Sequence, residues 1–200
     1  MDEPKPKIYV GVKWGFDNPT VMLAGQYSPA KDHLLVFREI YQEAFYFDDL
    51  LLIAKAWYQE MQVRKFFCDP KEEVYIKQMR RARLNARAVL DEPGLARGLL
   101  AKRMENWLYC QVCANPPEHG PPYDEHKICP VCGGTPRNSI RFTSMVPRTI
   151  PEFGKYRMPE RDPRKAYRDK PLEIDNYGIS ALHFLVLGLS MEVTPTIRWL

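Results

Sequence analysis

The sequence predicts an α/β domain, a mixed five-stranded sheet flanked by helices, and three observations carry that expectation. Three apolar runs rich in strand-forming residues open the chain in quick succession, each ended by turn residues. Segments with an apolar residue every three or four positions then alternate with short apolar runs, the alternation that places helices on a sheet. A length of 200 residues has room for one substantial core and one inserted module.

Taken in order, residues 8–13 (Ile-Tyr-Val-Gly-Val-Lys) read as a strand followed by a Trp-Gly-Phe-Asp-Asn-Pro turn. Residues 21–27 and 34–41 are two more strands, joined by a turn containing Ser28-Pro29-Ala30-Lys31-Asp32, so the first three strands form an antiparallel meander. Residues 47–63 carry Leu50, Ile53, Ala54, Trp57 and Met61 at helical spacing. Asp48 and Asp49 fall in the first turn of that helix, where its dipole favours negative charge. Residues 65–69 form a short strand stopped by Pro70, 72–83 a helix, 86–90 the fifth strand and 94–108 a helix. Residues 140–145 are a further strand-like run beyond the five, 147–171 read as basic and irregular, and 174–189 close the domain as an apolar helix. This order of elements is that of an RNase H-like domain.

The strongest chemical signal is a set of four cysteines, Cys110, Cys113, Cys129 and Cys132, spaced C-x2-C, fifteen residues, C-x2-C. Two such knuckles can wrap one tetrahedral Zn²⁺, and the separation is that of a zinc ribbon. The proline-rich loop between them has little capacity to fold without a metal or crosslink. Gly133 and Gly134 suit the turn that aims amides at thiolate sulfur. Two disulfides would fit a secreted chain, and nothing else in the sequence has that character. Four thiolates leave zinc no open position, so the expected role is structural and His119 and His126 are not needed as ligands. The expected organisation is therefore 1–107 for the first part of the core, 108–140 for the inserted ribbon, and 141–200 for a basic segment and the closing helix. Cys68, the fifth cysteine, sits in an apolar run and is expected to be inert.

Net charge is only +4, but basic residues are bunched. Nine Lys or Arg lie between 141 and 170, interleaved with Phe153, Tyr156 and Tyr167, a composition that suits a polyanion such as nucleic acid. Candidate phosphate contacts are Lys127, Arg137 and Arg141 in and beside the ribbon, then Arg148, Lys155, Arg157, Arg161, Arg164 and Lys165. No apolar run approaches the ~20 residues a membrane span needs, so a membrane partner is not expected. No secretion signal is visible, and a reducing cytosol is the expected compartment.

Four stretches resemble the nuclease domain of tailed-phage terminase large subunits. Tyr9-Val-Gly-Val-Lys-Trp-Gly followed by Asn18-Pro19 is similar to the family's first strand, Gly-(Val/Ile)-Asp-Trp-Gly. Phe66-Phe-Cys-Asp-Pro resembles its second acidic strand end, and Ala86-Arg-Ala-Val with Gly94-Leu-Ala-Arg-Gly-Leu-Leu the strand and helix that follow. Tyr156-Arg-Met-Pro, Lys170-Pro and Asp175-Asn-Tyr-Gly-Ile-Ser-Ala-Leu-His-Phe resemble the closing segment. The resemblance implies a two-metal nuclease scaffold taking Mg²⁺ or Mn²⁺, acting on double-stranded DNA in genome packaging in the host cytoplasm. Portal and other terminase subunits are its implied partners.

Asp69 keeps one of the acidic positions that the resemblance implies. Lys13 stands at another, and Asn176 and Ser180 stand where the closing segment should carry acids. Asp175 lies one residue early, and Asp17 just beyond the first strand. A lysine beside Asp69 is expected to pair with it, because a unit charge pair at ~4 Å is worth about 4 kcal/mol at an effective dielectric near 20. The same ammonium would repel a divalent cation. Two outcomes stay open: a scaffold with a degenerate metal site, or an active endonuclease relying on Asp69, Asp175 and Asp17. No G-x-x-x-x-G-K-[ST] motif is present, so the chain is not expected to drive packaging itself.

Overall fold

The computed structural model describes residues 6–15, 17–29, 32–105, 140–156 and 176–193. Strands β1 (Lys7–Lys13), β2 (Thr20–Ser28) and β3 (His33–Gln42) form the antiparallel meander. Helix α1 (Phe47–Met61), β4 (Lys65–Cys68), α2 (Glu73–Arg81), β5 (Ala86–Ala88) and α3 (Pro93–Glu105) follow. Later in the chain come β6 (Ile140–Phe142), α4 (Thr149–Lys155) and α5 (Tyr177–Val193). The sheet order is β5-β4-β1-β2-β3-β6, with β4 parallel to both β1 and β5, and β6 parallel to β3. An α/β, RNase H-like architecture is thus present.

Two expectations need correction. The sheet has six strands rather than five, because residues 140–142 add to the free edge of β3, with Leu34, Leu35 and Val36 opposite Ile140, Arg141 and Phe142. The stretch 147–171 is not irregular throughout, since α4 occupies part of it. Pro151 is the third residue of that helix, where its missing N–H costs no intrahelical bond. The carboxylate of Glu39 on β3 accepts the N–H groups of Arg148 (2.6 Å) and Thr149 (3.1 Å) and so caps the helix from a distance.

Alternation along the central strands explains the layers. In β1 and β4, Val10, Val12, Phe66 and Cys68 face α1 and α2, packing with Leu50, Trp57, Ile76 and Met79. Tyr9 and Phe67 point to the opposite face, where Leu182, Leu185 and Leu189 of α5 cover them and α3 contributes Ala96 and Leu100. Sheets buried on both faces lose the polar half of the alternation, which is why these strands read as nearly continuous apolar runs.

Helix α5 lies against the sheet more closely than side chains ordinarily permit. A Cβ at Gly11 would run into the carbonyl of Ala181 and the side chain of Leu185, and one at Gly188 would run into the ring of Phe67. No described helix is long and apolar enough to cross a membrane.

Candidate functional site

Parallel pairing of β1 with β4 puts their C-terminal ends side by side. Val12 is opposite Cys68, and the Asp69 N–H donates to the Val12 carbonyl at 2.9 Å, so Lys13 and Asp69 emerge together. Crevices outside the carboxyl ends of strands are where open α/β sheets bind ligands. The N-terminus of α5, carrying Asn176 and Ser180, reaches the same edge, as does Asp91 beyond β5, and together they line a cleft of about 530 Å³.

At its base the ammonium of Lys13 lies 2.6 Å from Oδ2 of Asp69 and donates also to the Trp14 carbonyl at 3.2 Å. The other carboxylate oxygen of Asp69 accepts the Lys71 N–H at 3.0 Å, and its carbonyl accepts the Trp14 indole N–H at 2.8 Å. Asp69 is 1% exposed and Lys13 19% exposed, so the pair is largely desolvated, and removing one partner would strand a buried charge. Ser180 directs its hydroxyl onto the Asn176 carbonyl at 2.9 Å. Among the described residues, no three His, Cys, Asp or Glu side chains are grouped to hold a metal ion.

The structure brings Lys13, Asp69, Asn176 and Ser180 to one cleft and places Asp17 in another. Asp17 lines a neighbouring cleft of about 430 Å³ with Tyr41, Arg148 and Lys155, while the adjacent Asn18 faces the Asp69 cleft. The turn is fixed by Thr20, whose hydroxyl donates to the Gly15 carbonyl and accepts the Gly15 N–H, and by Tyr177, whose hydroxyl donates to Asn18 at 2.7 Å. Arg148 stacks its guanidinium 4.9 Å from the centre of the Tyr41 ring, Lys155 ends α4, and Arg141 is exposed on β6. Asp175, the four cysteines Cys110, Cys113, Cys129 and Cys132, and the basic residues Lys127, Arg137, Arg157, Arg161, Arg164 and Lys165 lie outside the described residues. Cys68 is fully buried, and burial pushes its thiol far above the ordinary range, so it is no nucleophile.

Sequence reasoning passed over Asp91, Lys71 and Tyr156 as wall residues, while the place of His183 on the apolar closing helix makes it a core or groove residue rather than a catalyst. His183 is buried and lines the Asp69 cleft. Among the described residues its Nε2 and the Tyr156 hydroxyl find no hydrogen-bond partner, and the two rings meet edge-on with centroids 6.0 Å apart. Burial, then the positive charge of Arg97, lowers the His183 pKa to about 4. Helical spacing from Asn176 and Ser180 could have found His183. Nothing local marks Asp91, which arrives through the β4–β5 pairing.

No family model matches the sequence, and no curated protein is significantly similar to it. Solved structures do share its fold. The large terminase of a thermophilic bacteriophage superposes with a TM-score of 0.70 at 12% identity, covering 95% of this chain and 41% of that one. The nuclease domain of the large terminase g2p from bacteriophage SPP1, solved with bound Mn, gives 0.56 at 14% identity, covering 89% of this chain and 84% of that domain. The chain spans about two fifths of the length of the thermophilic phage's terminase. The fold is that of a terminase nuclease domain.

Proposed function

We propose that this chain is a nuclease-like domain of the terminase large-subunit type that grips double-stranded DNA in phage genome packaging, with cleavage weak or lost. The observation that carries the reading is the 2.6 Å contact between Lys13 and Asp69, made where that fold gathers its acids. Mn²⁺ and Mg²⁺ take several oxygen ligands, and two-metal catalysis needs two such ions about 4 Å apart. An ammonium hydrogen-bonded to Asp69 satisfies that carboxylate and repels a divalent ion. Asn176 and Ser180 bring no charge to replace it. In this reading Lys13 stands in for a metal, holding Asp69 and balancing its charge.

The remaining parts are proposed with it. Cys110, Cys113, Cys129 and Cys132 would hold a structural zinc in a ribbon spanning 108–140, between core segments 1–107 and 141–200. Arg141, Arg148 and Lys155, with the basic residues outside the described segments, would meet phosphates. Portal or other terminase subunits would be its protein partners, in the host cytoplasm.

One observation favours a second reading, an active metal-dependent endonuclease using Asp69 and Asp175: Asp91, rather than Asp17, adds a second carboxylate to the Asp69 cleft. Calorimetry with Mn²⁺ and nicking of supercoiled plasmid separate the two. The scaffold reading expects no Mn²⁺ heat and intact plasmid from the wild type, with duplex binding at low salt. Lys13→Asp should gain Mn²⁺ binding and, at a hundredfold excess over the dissociation constant, about 2.7 kcal/mol of metal-dependent stability. Wild-type nicking that needs Mn²⁺ and vanishes in Asp69→Asn would select the endonuclease instead.

A further inference from the structure

Behind the Lys13–Asp69 pair lies a second cleft of about 210 Å³, and its walls are chemically unlike those of the first. Trp14, Phe45, Tyr46, Phe47 and Tyr75 line it, while Lys13, Asp69 and Lys71 line both clefts and so form the partition between them. The aromatic rings are pre-arranged. Phe47 and Tyr75 stack at 4.4 Å and 11°, and Trp14 meets Tyr75 edge-on at 5.6 Å with its indole N–H held by the Asp69 carbonyl. Core packing explains Trp14, which is buried, but not Tyr46, an aromatic ring 65% exposed at the lip.

An aromatic hollow beside lysines is the arrangement that takes a planar heterocycle bearing an anionic tail. The volume corresponds to about seven waters, which suits one base rather than a base pair. Charge orients the guest. Glu72 on the wall, with Asp48 and Asp49 in the nearby first turn of α1, disfavours phosphate inside the hollow, whereas Lys71 on the partition, beside the paired Lys13 and Asp69, favours it on the far side. We infer that this cleft receives a single unpaired nucleobase from a DNA strand whose backbone lies in the larger cleft across the partition. The inference rests on the DNA-binding reading above and deepens it: a base inside a duplex is stacked and cannot enter, so the cleft selects single-stranded or frayed DNA.

Tyr46 is the residue to change, because its exposure lets it be replaced without disturbing the core. Binding of the 200-residue chain to a fluorescent single-stranded 12-mer and to a matched duplex is measured for the wild type, Tyr46→Ala and Tyr46→Phe. Tyr46→Ala should weaken single-strand binding about tenfold, the loss expected for one base–aromatic stack, and leave duplex binding within twofold. Tyr46→Phe should retain the wild-type affinity, and an abasic 12-mer should bind the wild type as weakly as the intact strand binds Tyr46→Ala. Equal losses on strand and duplex, or no loss on the strand, overturn the base cleft while leaving DNA binding standing. Failure of the wild type to bind either DNA at 50 mM salt overturns both.

Discussion

The imidazole of His183 is neutral in the fold because burial and the charge of Arg97 both penalise its protonated form, and that has a consequence for stability. A histidine with a pKa of about 4 when folded and 6.5 when unfolded contributes stability that is fully present above 6.5 and lost as pH falls toward 4. Between those limits the unfolded chain takes up a proton that the folded chain refuses, at a cost on the order of 3 kcal/mol. Glu152 acts with the opposite sign. Burial raises its pKa above 4.5, so its contribution is whole below that value and is lost as pH rises through the folded pKa. The difference between wild type and His183→Leu isolates the histidine: urea unfolding should show the wild type losing more stability than the variant between pH 7 and pH 5. At this scale the sequence was legible wherever an expected residue stood in the wrong chemistry. Lys13 was conspicuous because the resemblance implied an acid there, and its contact with Asp69 is the pairing expected of a lysine beside that carboxylate. Asp91 and Tyr46 were not legible, because each joins a cleft only through contacts made far along the chain, while Lys71, two residues past Asp69, carried no motif to mark it.

Helices α4 and α5 are joined by one carboxylate. Glu152 on α4 accepts the N–H groups of Gly178 (3.1 Å) and Ile179 (2.9 Å) at the start of α5, and the Tyr41 hydroxyl at 2.8 Å from β3. A helix N-terminus has N–H groups without intrahelical partners, so this is a cap delivered by another element. The two helices touch there closely enough that a Cβ at Gly178 would strike Thr149. Glu152→Ala should cost about 2 kcal/mol in urea unfolding, through two uncapped amides and the lost hydrogen bond from the Tyr41 hydroxyl. Amide exchange should quicken at Gly178 and Ile179 before it quickens elsewhere in α5. Element type was legible in the long periodic segments, α1 and α5, and in the opening meander. It was not legible for α4, where Pro147, Pro151 and Gly154 look like loop punctuation and the caps come from Glu39 and the helix's own fit against α5. The three-residue strand β6 was seen as apolar yet left out of the sheet, since only the open edge of β3 makes it a strand.

For the molecule as a whole, modest net charge hides a lopsided distribution, and salt is the variable that reads it out. If Lys155 meets a phosphate of bound duplex, Lys155→Ala should flatten the slope of log affinity against log salt by about 0.9, with little change between DNA sequences. Fluorescence anisotropy across 50–200 mM salt measures it. An unchanged slope would place the DNA on another surface. The α/β class, a mixed sheet flanked by helices, was readable in the sequence, because both faces of the sheet write their burial into the strands. The close seating of α5 was not, since Gly11 and Gly188 carry no side chain to advertise what they touch. That seating bears on biosynthesis. Every described strand of the sheet precedes α5 in the chain, so a ribosome completes β1 and β4 on the order of ten seconds before the helix that roofs Tyr9 and Phe67 can emerge. Throughout that interval the nascent sheet carries an oily face with α3, but not yet α5, available to shelter it.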